Sequence, residues 1–228
     1  MEEKVSKVLE LLSKRFVSHP WHGIEIGEKA PAIVNAFIEI IPADAIKYEI
    51  DKPSGFIIVD RPQKLSNNMP CLYGFVPKTL CDKGVAAFAN QKTGRTDITG
   101  DNDPLDICVL SERNYLHNNI LCEAKVIGGF RMIDGGEADD KIIAVLKGDQ
   151  AYGEFNDISE MPKMVIDRVR HFFLTYKDLD GSAKNVEITH VYGREEALKV
   201  IELAAADYDA KYSDINKQLA EALIEACK

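Results

Sequence analysis

The chain has 228 residues, 46% of them apolar and 29% charged, with 28 Lys and Arg against 37 Asp and Glu for a net charge of −9. That length suits one large domain or two small ones with a real core, and the composition is that of an ordinary soluble globular protein. The acidic balance argues against a nucleic-acid binder, which normally shows a basic face, and no apolar run approaches the roughly eighteen residues a membrane helix needs.

Residues 2–16 place Val5, Val8, Leu9, Leu12 and Phe16 at helical spacing, which predicts an amphipathic opening helix. The terminus itself, Met1-Glu2-Glu3-Lys4, is acidic and does not read as a secretory signal. His19-Pro20-Trp21-His22-Gly23 is turn-rich, and with no further His or Cys nearby the two histidines read as structural rather than as ligands. Strands follow at 32–41, 46–50 and 55–61. Ile46-Lys47-Tyr48-Glu49-Ile50 alternates strictly, with Lys47 and Glu49 on one face. Residues 78–100 are polar and Gly-containing without a sustained period, and read as a long loop or hairpin, uncommon at that length unless functional. Further strands are expected at 105–111, 120–133, 141–147 and 186–192. A helix spans 160–178, with Met161, Val165, Val169, Phe172, Phe173 and Tyr176 on one face. The tail from Arg194 to Cys227 is helical by composition, with a break at Ser213-Asp214. Short strands flanked by helices, with no linker or repeat, indicate one domain over 1–228, with 1–30 as an extension, built as a small barrel with packed helices. Cys71, Cys81, Cys108, Cys122 and Cys227 are odd in number, widely spaced and free of any C-x-x-C pair. They read as core fillers in a reduced, cytoplasmic compartment.

The densest chemistry is Asp101-Asn102-Asp103-Pro104-Leu105-Asp106, three carboxylates entering the apolar run Ile107-Cys108-Val109-Leu110. Like charges this close repel, and each loses hydration near a core, so either the segment is a solvated turn or a cation holds it. Mg2+ is the natural partner of carboxylate oxygen; Pro104 at the fourth position and the lack of a Gly and Glu at the required places make an EF-hand a poor fit. Glu39 interrupts the apolar run Phe37–Ile41, costly unless paired or metal-bound, and neighbouring-strand pairing brings Glu39 and Glu49 toward one pocket within reach of Arg61. Asp134-Gly135-Gly136-Glu137-Ala138-Asp139-Asp140-Lys141 is first a hairpin turn, yet its flanking carboxylates are well placed as ligands. Tyr176-Lys177 sets a phenol and an ammonium near a helix end. Each segment alone has a structural reading; together they supply metal ligands and oxyanion donors suited to phosphoryl chemistry with several divalent ions. P-loop, G-x-G-x-x-G and H-E-x-x-H motifs are absent from the sequence.

The segments 46–51, 101–106, 132–141 and 171–177, in this order over residues 30–180, resemble those of soluble family I inorganic pyrophosphatases, D-x-D-P-x-D being the most specific. His19-Pro20-Trp21-His22 resembles the plant-type branch more weakly. The resemblance implies an α+β fold with a five-stranded OB-like closed β-barrel, and Mg2+-dependent hydrolysis of pyrophosphate, with Mn2+ or Zn2+ as substitutes. It assigns Asp101, Asp106 and Asp139 to the first ion, with Asp106 bridging to a second, and Asp103 as the base. Glu39, Glu49 and Asp134 serve ions arriving with substrate; Lys47, Arg61, Tyr73, Tyr176 and Lys177 contact phosphate oxygens, with Lys141 beside them. It also implies a homo-oligomer, hexamer included. Two features depart from the family: Met69 stands where Tyr is common, and 78–100 is longer than the compact bacterial pattern, as a lid or an oligomer contact. The competing readings are an OB-like binding module without catalysis and a divergent phosphohydrolase acting on polyphosphate or nucleotides.

Overall fold

Apolar residues concentrate in the strands read from the sequence, and burying both faces of the central ones organises the rest. The computed structural model describes residues 16–64, 66–177, 186–212 and 215–226, which form a mixed, sheet-rich α+β fold. The helix expected over 2–16 falls, but for Phe16, outside the described residues, as does Cys227.

The main sheet contains β1 (Ile33–Ile40), β4 (Leu72–Phe75), β5 (Thr99–Gly100), β6 (Asp106–Leu110), β7 (Ile120–Asp134), β8 (Glu137–Ala138), β9 (Lys141–Leu146) and β10 (Val186–Gly193). A separate ribbon pairs β2 (Ile46–Ile50) with β3 (Ile57–Pro62). Hydrogen-bonded neighbours run β1-β4-β6-β9-β7, and β7 pairs in turn with β1. The spine is β7. Its first residues, 120–125, pair with β1 and alternate in exposure, whereas 126–133 are continuously buried between β9 and β10. The expected Gly-Gly hairpin is present: Gly135 and Gly136 sit at φ 60° and 92°, and the chain returns through β8. Of the two parallel pairs, β5 with β8 and β6 with β9, the second sets Asp106 opposite Lys141.

The helix expected at 160–178 is α2 (Lys163–Thr175), which buries Ile166, Val169, Phe172 and Phe173. The tail forms α3 (Arg194–Tyr212) and α4 (Ile215–Ala226); the break expected at Ser213-Asp214 falls outside the described residues. Part of the long loop expected over 78–100 is instead helical, α1 (Lys83–Thr93), buried through Val85, Ala86 and Ala89. The correction has a physical cause. Asp82, at the cap position, makes no capping bond; the carboxylate of Asp207, on α3, accepts the backbone N–H groups of Asp82 (3.1 Å), Gly84 (2.9 Å) and Val85 (3.1 Å). A Cβ at Gly84 would stand 2.8 Å from the Asp207 Oδ1, so glycine admits the cap. The start signal of α1 therefore lies more than a hundred residues downstream.

Beneath α1, Arg131 is fully buried, an unusual place for a guanidinium. Its Nε lies 3.0 Å from Asp140 Oδ1 and its Nη2 3.2 Å from Glu196 Oε1, between the rings of Phe88 and Tyr192. The Tyr192 hydroxyl donates to Asp140 at 3.0 Å. Asp140 is thereby turned into the core, while its neighbours Asp139 and Lys141 face the other way.

Removing the distant cap is expected to destabilise the fold: Asp207→Ala loses about 1–2 kcal/mol, the range for losing a helix cap, and Asp207→Asn, which keeps one acceptor oxygen, loses less. Urea unfolding midpoints at constant m-value measure both; an unchanged Asp207→Ala midpoint would contradict the cap.

Candidate active site

A cleft of about 330 Å³ lies where the ribbon β2–β3, the acidic loop before β6, the β7–β9 hairpin and the end of α2 meet. Its walls carry all thirteen residues selected from the sequence: Glu39, Lys47, Glu49, Arg61, Tyr73, Asp101, Asp103, Asp106, Asp134, Asp139, Lys141, Tyr176 and Lys177. Strand alternation explains the ribbon's share, since Lys47 and Glu49 point to the same side of β2. The parallel β6–β9 register does the same for Asp106 and Lys141.

Charge is the dominant fact of the cleft. Eight carboxylates line it, Glu137 being the eighth, against five cationic side chains, Lys52 being the fifth. Each cation is drawn to the acids. Lys141 Nζ lies 2.5 Å from Asp106 and also binds Asp139, while the Tyr73 hydroxyl donates to Asp106 at 2.5 Å. Lys47 bridges Glu49 (2.8 Å) and Asp60 (2.7 Å), and Arg61 Nη1 reaches Asp60 at 2.5 Å. Lys52 pairs with Asp103 and Lys177 with Asp134.

These pairs do not cancel the excess. Burial, then the charge of Asp139, pushes the Asp101 carboxyl up to about 8. Burial raises Glu39 to about 8 even though its Oε1 accepts the Ile50 N–H at 2.8 Å. Burial also raises Asp106, against the pull of Lys141. For Lys141, burial alone would lower the pKa, but Asp106 and Asp139 hold the ammonium well above its usual range. An all-oxygen, crowded and partly buried acid set is the donor chemistry of hard divalent cations. Among the described residues no three His, Cys, Asp or Glu side chains are already gathered around one point; lysines stand between the acids instead.

Glu137 belongs to the acids flanking the Gly-Gly turn, whereas Lys52 and Asp60 are additions from the structure. Lys52 and Asp60 carried a signal in hindsight, each being a charge next to a selected residue or motif: Lys52 directly follows Ile46–Asp51, and Asp60 precedes Arg61. Met69, in contrast, is buried in the core and does not line the cleft. Nor does any residue from 83 to 100. The histidines of the opening turn are structural, as read: His19 contacts the Lys52 carbonyl at 2.9 Å, and His22 Nδ1 lies 2.8 Å from the Tyr208 hydroxyl.

Comparison with known proteins gives one consistent result. A family profile described as inorganic pyrophosphatase matches residues 36–209. The chain is 48% identical over 201 residues to an inorganic pyrophosphatase of Chlamydia caviae, covering 86% of this chain and 93% of that one. It is 39% identical to soluble inorganic pyrophosphatase 1 of Arabidopsis thaliana, over 90% of this chain and 87% of the relative. The crystal structure of inorganic pyrophosphatase from Thermus thermophilus superposes with a TM-score of 0.71 at 31% identity, over 85% of this chain and 99% of that one.

The raised carboxyls set a pH dependence. Glu39 and Asp101 keep their protons in the folded chain up to about 8, whereas in the unfolded chain they lose them near their ordinary values of 4.5 and 3.8. Their stabilising contribution is full below pH 4 and declines as pH rises toward 8. Thermal melts in a chelator are expected to show this decline between pH 5 and 8, a shallower decline in Glu39→Gln, and recovery of Tm at pH 8 on adding Mg2+. An identical slope in Glu39→Gln would remove Glu39 from this account.

Proposed function

Because the chain belongs to the inorganic pyrophosphatase family, we propose that it hydrolyses pyrophosphate to two orthophosphates in this cleft with Mg2+, Mn2+ and Zn2+ being substitutes. The observation that carries the reading is the assembly of all thirteen selected residues around one acidic cleft that still carries five cationic side chains. The return of β7 to β1 supports a five-stranded, OB-like closed barrel as the frame, with residues 1–228 working as one domain.

Asp101, Asp106 and Asp139 are the residues we assign to the first ion, Asp106 also serving a second, with Glu39, Glu49 and Asp134 completing the set for ions that enter with substrate. When bound, such ions neutralise the anhydride's charge and acidify water. The chain's own groups do the rest. Lys47, Arg61, Lys141, Lys177, Tyr73 and Tyr176 seat the phosphate oxygens. The substrate competes with the carboxylates for these ammonium and guanidinium groups, and each carboxylate it displaces becomes available as a ligand. Asp103 lies toward solvent, its side chain 47% exposed, which suits a group that takes a proton from an entering water. As oxygen attacks one phosphorus, the bridging P–O bond breaks, and Arg61 and the lysines stabilise the charge growing on the departing phosphate.

The free thiols of Cys71, Cys81, Cys108 and Cys122 support a reduced, cytoplasmic setting, and among the described residues no helix is long and apolar enough to cross a membrane. We carry over self-association from the resemblance, hexamer included; light scattering tests it.

Purified protein with pyrophosphate and Mg2+ is expected to release phosphate, and to do so faster than with ATP or tripolyphosphate; release no faster than background rejects the reading. Asp103→Asn is expected to lose turnover by about 10²-fold or more, the scale of general-base catalysis, while Mg2+ binding measured by calorimetry is retained. Near-normal turnover removes Asp103 as the base.

A further inference from the structure

The acidic loop 101–105 makes few bonds within itself: Asp101 Oδ1 accepts the Asp103 N–H at 2.9 Å, and Asn102 is held at φ 62°. Four of its backbone groups are bound by the segment 76–82. Asn102 N–H donates to the Cys81 carbonyl at 3.0 Å, Cys81 N–H to the Asp103 carbonyl at 2.8 Å, and Val76 N–H to the Leu105 carbonyl at 2.9 Å. The last partner is a side chain. The Thr79 hydroxyl accepts the Leu105 N–H at 2.9 Å and donates to the Val76 carbonyl at 2.6 Å.

Thr79 is fully buried. Its carbonyl accepts the indole N–H of Trp21 at 2.8 Å, so the turn His19–His22 bears on the same point. The next residue donates its N–H to the Ala204 carbonyl on α3 at 2.9 Å. Thr79 and Leu80 thus join the opening turn and α3 to Leu105, the residue directly before Asp106.

We propose that Thr79 is a positioning residue: its hydroxyl fixes the Leu105 amide, and through it the spacing of Asp101, Asp103 and Asp106 that sets how tightly the cleft takes divalent cations. A hydroxyl is suited to this because one oxygen both accepts from Leu105 and donates to Val76. Valine matches the shape, leaves a buried N–H and a buried carbonyl unpaired, and touches no ligand. The proposal rests on the divalent-cation reading of the cleft, and the two fail differently.

The test is calorimetric titration of the substrate-free protein with Mg2+, at a temperature well below each variant's Tm, alongside amide exchange at Leu105 and Asn102. Thr79→Val is expected to weaken Mg2+ binding about tenfold or more, the scale seen when groups that orient metal ligands are removed, and to speed exchange at both amides. Thr79→Ser, which restores the hydroxyl, is expected within about twofold of the wild type. Thr79→Val that melts earlier but binds Mg2+ as the wild type does would make Thr79 merely structural and overturn the proposal. Should Thr79→Val not fold, Thr79→Ala removes the same hydroxyl with less bulk; unchanged Mg2+ affinity there overturns the proposal equally. A wild type that takes up no Mg2+ at all would instead refute the cation reading.

Discussion

Mutual repulsion among carboxylates in the cleft is the constraint to which the rest of the structure answers. Eight acids share a space of about 330 Å³, and burial first, with neighbouring acids adding to it, drives two of them up to about 8. Left alone, such a cluster would open toward water, because each charge is better solvated apart from the others. The fold prevents this by bringing the acids from four separate segments, β1, the ribbon, the acidic loop before β6 and the β7–β9 hairpin, so that no single local motion separates them all. The same crowding that strains the folded chain gives the cleft its appetite for cations.

Two devices do the fixing. In the first, the parallel β6–β9 pair sets Asp106 beside Lys141, and the buried Arg131 holds Asp140 inward so that Asp139 and Lys141 face the cleft. Arg131 is expensive to bury, and its Nε and Nη1 lack hydrogen-bond partners, so ion pairing to Asp140 and Glu196 and the faces of Phe88 and Tyr192 must offset the lost hydration. In the second, segment 76–82 takes over the backbone bonds of the acidic loop. Both devices lean on α1 and α3: Phe88 covers Arg131 from α1, and Asp207 of α3 holds the start of α1.

The cleft was legible in the sequence because its chemistry is locally encoded: a charged pair alternating in β2, three aspartates within six residues, acids around a Gly-Gly turn, and Tyr-Lys at a helix end. The supports were less legible because they are encoded at a distance. Helix α1 escaped notice since its cap is Asp207 rather than a neighbour, and its apolar face is built mostly from alanine. Strand β4 is only four residues long and follows a proline, so its periodicity was too short to read. Arg131 did leave a trace, a charge inside the apolar run 126–133, of the same kind that marked Glu39. Lys52 and Asp60 show the opposite limit, since a charge beside a motif looks the same whether it faces the cleft or the solvent.

The long strand β7 has a consequence for how the chain comes to be. Its partners β1 and β10 lie far away in sequence, near residues 33–38 and 186–193. On a ribosome, β1, β4 and β6 emerge early and can pair with one another, but the β1 edge that meets β7 and the β6 edge that meets β9 wait for residues 120–146, and β7 waits longer still for β10; contacts of such long sequence separation form slowly. Nascent chains halted before residue 120 would therefore carry two apolar strand edges, of β1 and β6, with nothing to cover them, a state open to aggregation that pairing with β7 and β9 removes.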